Sequence, residues 1–242
     1  PWGEVRGDVL TLHNVRNFDY RTETDWTERW ETRTYDISKL EGVDLFLSYW
    51  GSPAIAHTIM SWRFSDGEHL AISIELRKEV GEVYSPIAGF FRHYELYYAA
   101  ADERDVVRLR TNYRGENVYL YPLRMPVRRA REVLLDYVRR MNDLVEEPAF
   151  YNTLTQNCTT TIRTHILHIG GTMPLDYRLL ANGYSDTLLY ENEAIDTSRP
   201  FEVVRASSQI DDRAKAADQD PGFSARVREG IVVPPPWPDG AR

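Results

Sequence analysis

Two apolar-rich runs, residues 57–64 and 69–77, stand on either side of Ser65-Asp66-Gly67-Glu68, and this pattern commits the middle of the chain to an antiparallel hairpin. Along the first run His57, Ile59, Ser61 and Arg63 share one face, with Thr58, Met60, Trp62 and Phe64 on the other. Along the second, Ala71, Ser73, Glu75 and Arg77 oppose Leu70, Ile72, Ile74 and Leu76. The turn decides which faces meet. A three-residue loop, Ser65-Asp66-Gly67, with Gly67 in the left-handed conformation puts His57 opposite Glu75, whereas a two-residue Asp66-Gly67 turn slips the register and turns Glu75 away. The first is favoured because it gathers Met60, Trp62, Phe64, Leu70, Ile72 and Ile74 on one buried side.

Other runs extend this hairpin into a sheet. Residues 43–50 alternate with an apolar set at 43, 45, 47 and 49 until Gly51-Ser52-Pro53 breaks them, and further strands are expected at 94–99, 106–111 and 118–123. Arg114-Gly115-Glu116-Asn117 turns between the last two. Upstream, residues 9–15 read as an opening strand followed by a wrapping loop through Tyr20, Trp26, Trp30 and Tyr35. From Pro126, apolar residues Val127, Ala130, Leu134, Tyr137, Val138, Met141 and Leu144 recur at helical spacing, with Arg128, Arg129, Arg131, Arg139 and Arg140 on the outer face. A second helix is expected from near Thr155 through Cys158 and Ile162 to His168, stopped by Gly170-Gly171. The fold class is therefore α+β, an antiparallel sheet packed with helices. Residues 1–206 read as one domain. Residues 207–242 read as a tail of two short helices split at Pro221-Gly222, ending in an extended Pro-rich stretch, 234–238, that is mobile or laid on the surface.

Net charge is −8, which argues against nucleic acid as a partner. The positive charge is concentrated: between Arg104 and Arg140 ten Arg face only Asp105, Glu116, Glu132 and Asp136. Such a segment is either a solvated helix face or a basic surface turned towards anionic lipid headgroups or an acidic substrate. No stretch approaches the roughly 20 apolar residues of a membrane helix. The chain opens on Pro1, which suggests a processed or excised piece whose targeting or anchoring segment has been removed.

A single Cys in 242 residues excludes an internal disulfide and a thiolate zinc cage. Cys158 is then either a small buried residue or a reagent, and the polar run Gln156-Asn157-Cys158-Thr159-Thr160 is an odd choice for core packing. At a helix start, unpaired N–H groups would favour its thiolate and could hold an oxyanion. A thiol nucleophile needs a base. His165 lies two turns further along the same helix, about 10 Å away and too far for direct proton transfer; His168 is further still, His69 adjoins the turn, and His13 and His93 carry no helpful context. His57, at a strand end just past Gly51-Ser52-Pro53, is the best candidate, with Glu75 as its orienter if the three-residue loop holds. The acidic turn Asp102, Glu103, Asp105 lacks His ligands, so no metal is assigned, and no phosphate-cradling loop or nucleophile-elbow serine is present.

Several separated blocks occur in a specific order: Trp50-Gly51-Ser52-Pro53 leading to His57-Thr58-Ile59-Met60-Ser61; Ile74-Glu75-Leu76-Arg77-Lys78-Glu79 with Glu82 and Tyr84; Asp102-Glu103-Arg104-Asp105 with Arg110-Thr111-Asn112-Tyr113-Arg114; and residues 151–160 around Asn157-Cys158. Across residues 40–180 this order resembles the DUF4105 family, also described as the N-terminal extracytoplasmic domain of Lnb, a bacterial lipoprotein N-acylation protein. The resemblance implies a circularly permuted papain-like fold of the NlpC/P60 and lecithin:retinol acyltransferase type. It also implies Cys158 as nucleophile, His57 as base and Glu75 as orienter, with Asn157, Thr159, Ser61, Arg77 and Tyr84 towards substrate. No cofactor is implied. The setting would be periplasmic, tethered to the inner membrane by a segment outside this sequence, with a lipoprotein or lipid acyl group as substrate and a membrane surface as partner. The reaction implied is acyl transfer through a Cys thioester. The same dyad would also serve a cysteine peptidase or amidase acting on peptidoglycan or peptides, and a buried, unreactive Cys158 would leave a non-catalytic envelope binding module.

Overall fold

The computed structural model describes residues 1–77, 94–150 and 158–238. The hairpin closes through the three-residue loop. Gly67 sits at φ +89°, its N–H bonds the Phe64 carbonyl at 3.0 Å, and the Phe64 N–H bonds the Glu68 carbonyl at 3.0 Å. Ile59 thereby stands opposite Ser73 and Met60 opposite Ile72.

In chain order the strands are β1 (Trp2–Arg6), β2 (Val9–Arg16), β3 (Asp19–Tyr20), β4 (Trp26–Thr27), β5 (Trp30–Asp36), β6 (Leu40–Tyr49), β7 (Ala56–Phe64), β8 (His69–Arg77), β9 (Glu95–Ala101) and β10 (Asn117–Pro122). The α-helices are α1 (Glu103–Arg108), α2 (Val127–Glu146), α3 (Cys158–His168), α4 (Ser185–Glu191), α5 (Phe201–Ser208), α6 (Asp211–Ala216) and α7 (Phe223–Val227). The main sheet runs β1-β2-β9-β8-β7-β6-β10 with β5 added on β2, and it is antiparallel except where β2 meets β9. The chain is thus α+β, with a mostly antiparallel sheet packed against helices.

Both faces of the central strands are buried, so their alternation separates two cores rather than core from solvent. One face, with Leu45, Leu47, Met60, Trp62, Ile72, Ile74 and Tyr98, packs on Ala130, Val133, Leu134 and Tyr137 of α2 and on Ile162 of α3. Trp62 anchors that contact by donating its indole N–H to the Ala130 carbonyl at 2.9 Å. The opposite face, with Phe46, Ile59, Ala71 and Leu120, is covered by Val106 and Val107 of α1 and by Ala214, Phe223 and Val227 of α6 and α7. The Pro-rich end lies on the surface, where Arg124 stacks over the Trp237 ring and donates to the Pro235 carbonyl.

Two expectations fail locally. Residues 106–111 are not a strand: Asp102 accepts from the Arg104 N–H at 2.8 Å and caps α1, which continues as a π-helical turn, Leu109–Tyr113. The cap and the burial of both Val106 and Val107 override the β-branched composition. The stretch after β2 is likewise not a loop throughout, because β5 pairs along β2, its alternate residues facing solvent and disguising the strand as polar chain. The arginine-rich segment is largely paired: Arg108 with Asp19, Arg110 with Glu75 and Glu116, Arg129 with Glu132, Arg131 with Asp8 and Arg139 with Asp136.

Gly67→Ala should test the loop. A side chain at φ +89° costs about 1–2 kcal/mol, to be read as a lower urea midpoint with unchanged slope.

Candidate functional site

The hairpin register that builds the core also builds a polar ladder on the opposite face. Continued from Ile59–Ser73, it sets His57 against Glu75, while Ser48 of β6 lies opposite His57 on the other side. His57 Nε2 is 2.6 Å from the Ser73 hydroxyl and 3.1 Å from Glu75 Oε1. The Ser73 hydroxyl donates to the same Glu75 oxygen at 2.7 Å, so it accepts from the imidazole N–H and passes its own proton on. Arg110, from the π-helical turn, bridges Glu75 at 3.1 Å and Glu116 at 3.2 Å, and Glu116 accepts from Ser48.

Cys158, the first described residue of α3, lies beside this imidazole: Asn182 joins its sulfur to the N–H of Ala56, the residue before His57, and His57 acts on the thiol's ionisation. Ser73 and Glu75 both engage Nε2. His57 is the second residue of β7, at the sheet margin, where a side chain from the α3 layer meets one from the opposite face.

Charge follows from this geometry. Burial works against the His57 imidazolium, but the Glu75 carboxylate and the neighbouring Cys158 raise its pKa to about 9. Burial also penalises the Glu75 carboxylate, yet the imidazolium, Arg110 and Ser73 hold it far below the usual carboxylate range. For Cys158 burial favours the thiol, and the neighbouring His57, with help from Thr58, brings it down to about 7. Between those two values the pair rests as thiolate and imidazolium.

Asn182 was not among the residues the sequence singled out. Its amide nitrogen donates to Cys158 Sγ at 3.4 Å and to the Thr159 hydroxyl at 3.0 Å, and its carbonyl accepts from the Ala56 N–H at 2.9 Å. Gly183 makes this possible: a Cβ there would stand 2.1 Å from the Pro53 carbonyl oxygen. The corner is fastened by Gly183 N–H to the Ala54 carbonyl at 3.0 Å and by the Tyr49 hydroxyl to the Gly183 carbonyl at 2.8 Å. Asn-Gly reads as a turn in the sequence, but nothing in its spacing points to Cys158.

Of the other candidates, Thr159 is buried beside the thiol and held by Asn182. Ser61 lies elsewhere: it is fully buried and donates to Glu103 at 2.5 Å, within a cluster that joins Asp44, Arg63, Glu103 and Arg228. Arg77 is exposed and faces Glu95 across β9 at 3.6 Å. Asn157 and Tyr84 lie outside the described residues. His165 turns away from the thiol and bonds Asp136 and Tyr98 instead.

A family model described as the Lnb N-terminal periplasmic domain matches residues 26–183, about two thirds of the chain. The chain belongs to this Lnb family. No curated protein and no solved structure matches it. Membership of the Lnb N-terminal domain family makes this an envelope protein of the Lnb type, with the domain on the periplasmic side. Among the described residues no helix is long and apolar enough to cross a membrane. The part matched to the Lnb domain contains His57, Glu75, Arg110 and Cys158 and ends at the Asn182-Gly183 corner.

Iodoacetamide should alkylate Cys158 at a rate that rises with pH through about 7, because only the thiolate reacts. In His57→Ala the midpoint should move up towards an ordinary thiol value; an unchanged midpoint would separate the two groups.

Proposed function

We propose that this domain is a cysteine-dependent acyltransferase of the bacterial envelope that carries an acyl group as a thioester on Cys158. The observation that carries the reading is the line Cys158–His57–Glu75, in which a buried thiol stands beside an imidazole held by the partly exposed Glu75 carboxylate. Lipoprotein or lipid acyl groups are the substrate class that suits an Lnb-type protein, and the reaction is assigned to the membrane surface, with a tether to the inner membrane.

In the first half-reaction the thiolate attacks the ester carbonyl of the donor and forms the C–S bond. The oxyanion is met by N–H groups at the start of α3 and by the Asn182 amide, which already points at the sulfur. Collapse breaks the C–O bond, and the His57 imidazolium gives its proton to the departing alkoxide. In the second, a neutral amine attacks the thioester, His57 takes a proton from the nitrogen, and the C–S bond breaks to restore the thiolate. Glu75 stabilises the imidazolium in both halves, and Arg110 and Ser73 keep that carboxylate charged and aimed. The papain-like chemistry needs no cofactor.

Incubation with a diacylglyceryl lipopeptide should leave an acyl adduct on Cys158 detectable by mass spectrometry and yield N-acylated peptide. Cys158→Ala should abolish both; persistence of product in that variant would overturn the reading, and release of free fatty acid alone would make the domain a hydrolase. The rate should be highest between about pH 7 and 9, falling below as the thiolate is protonated and above as the imidazolium is lost. Asn182→Ala should lower kcat by about 10²–10³, the loss seen when one oxyanion donor is removed. Glu75→Gln should cost about 10²–10⁴ by weakening the general base.

A further inference from the structure

Away from the thiol, α2 and α3 meet at a second cluster that the proposed reaction does not use. Asp136 of α2 and His165 and His168, one turn apart on α3, each bring one ligand atom within 4.8 Å of the others. The His165 nitrogen is 2.6 Å and the His168 nitrogen 3.3 Å from the same carboxylate oxygen. The other oxygen of Asp136 pairs with Arg139. Asp136 and His165 side chains are 3% exposed and His168 is 56% exposed, so the cluster is enclosed on the protein side and open on one flank.

The buried histidine is held as a metal ligand is usually held. Its Nε2 is 2.7 Å from the Tyr98 hydroxyl and its ring packs on Tyr137 with centroids 4.0 Å apart, which fixes the plane and aims Nδ1 at Asp136. The Tyr98 hydroxyl can donate or accept. With the imidazole proton on Nε2 and donated to the Tyr98 oxygen, Nδ1 presents its lone pair, a tautomer change that releases no proton.

We propose that Asp136, His165 and His168 form a binding site for a divalent transition-metal ion, with zinc as the best fit, that clamps α2 to α3. Two imidazole nitrogens and one carboxylate suit a borderline ion rather than magnesium or calcium, which prefer all-oxygen sites. The fourth position faces solvent beside His168 and falls to water. Arg139 and Arg140 oppose a cation, which limits affinity; Arg139 retains its own oxygen of Asp136, leaving Oδ2 for the ion. The clamp bears on catalysis only indirectly, by stiffening the helix whose first described residue is Cys158.

The test uses the whole 242-residue chain carrying Cys158→Ala, so that the thiol cannot supply a competing site. Titration with cobalt should give a one-to-one visible spectrum of a four-coordinate ion, displaced by zinc, and zinc should raise the melting temperature in proportion to its concentration. Adding His168→Ala, which removes an exposed side chain and leaves the core intact, should weaken zinc binding at least about 10–100-fold, the loss that removal of an outer partner alone can cause. Asp136→Asn provides a second readout and should also lose the cobalt spectrum. Absence of the spectrum in the Cys158→Ala chain, or zinc affinity unchanged by His168→Ala, would overturn the proposal.

Discussion

A half-buried carboxylate beside a buried imidazole is the interaction on which the rest of the molecule turns. Isolated, either charge would be expelled or neutralised. Here Glu75 faces an imidazolium, a guanidinium and a hydroxyl, and Arg110 is in turn answered by Glu116. The groups come from four elements: His57 from β7, Ser73 and Glu75 from β8, Arg110 from the π-helical turn and Glu116 from the chain leading into β10. The ladder therefore depends on the sheet being in register and on α1 being capped where it is. The electrostatics that would activate a thiol and the packing that sets the fold are the same constraint seen from two faces of one hairpin.

That sheet carries two charge networks on one face. The first surrounds His57 at the strand margin. The second, deeper along β7, joins Asp44, Arg63, Glu103 and Arg228 around Ser61 and ties α1 and α7 to the strands. Both are buried, yet only the first reaches the edge, where a helix from the other layer can approach. The arrangement proposed as catalytic and the structural one differ here mainly in position along a strand: Ser61 is four positions after His57.

What could be read in advance follows from that logic. The alternation of residues 57–77 and a Ser-Asp-Gly turn carried the register, hence the His57–Glu75 pairing, because a wrong turn would have put apolar residues on opposing faces. Helix α2 was visible from its spacing. Arg110 was not recognised as a partner of Glu75, since its segment resembles a strand in composition and becomes a helix through a cap at Asp102. Asn182 was hidden for a different reason. Its contact spans more than twenty residues on one side and more than a hundred on the other, and no local pattern encodes it.

Gly183 gives the corner a further property. Two backbones that touch with no room for a methyl group move as one body, so the segment between α3 and this corner is pinned at both ends. The corner thus insulates the cysteine's surroundings from drift in the loop that follows its helix.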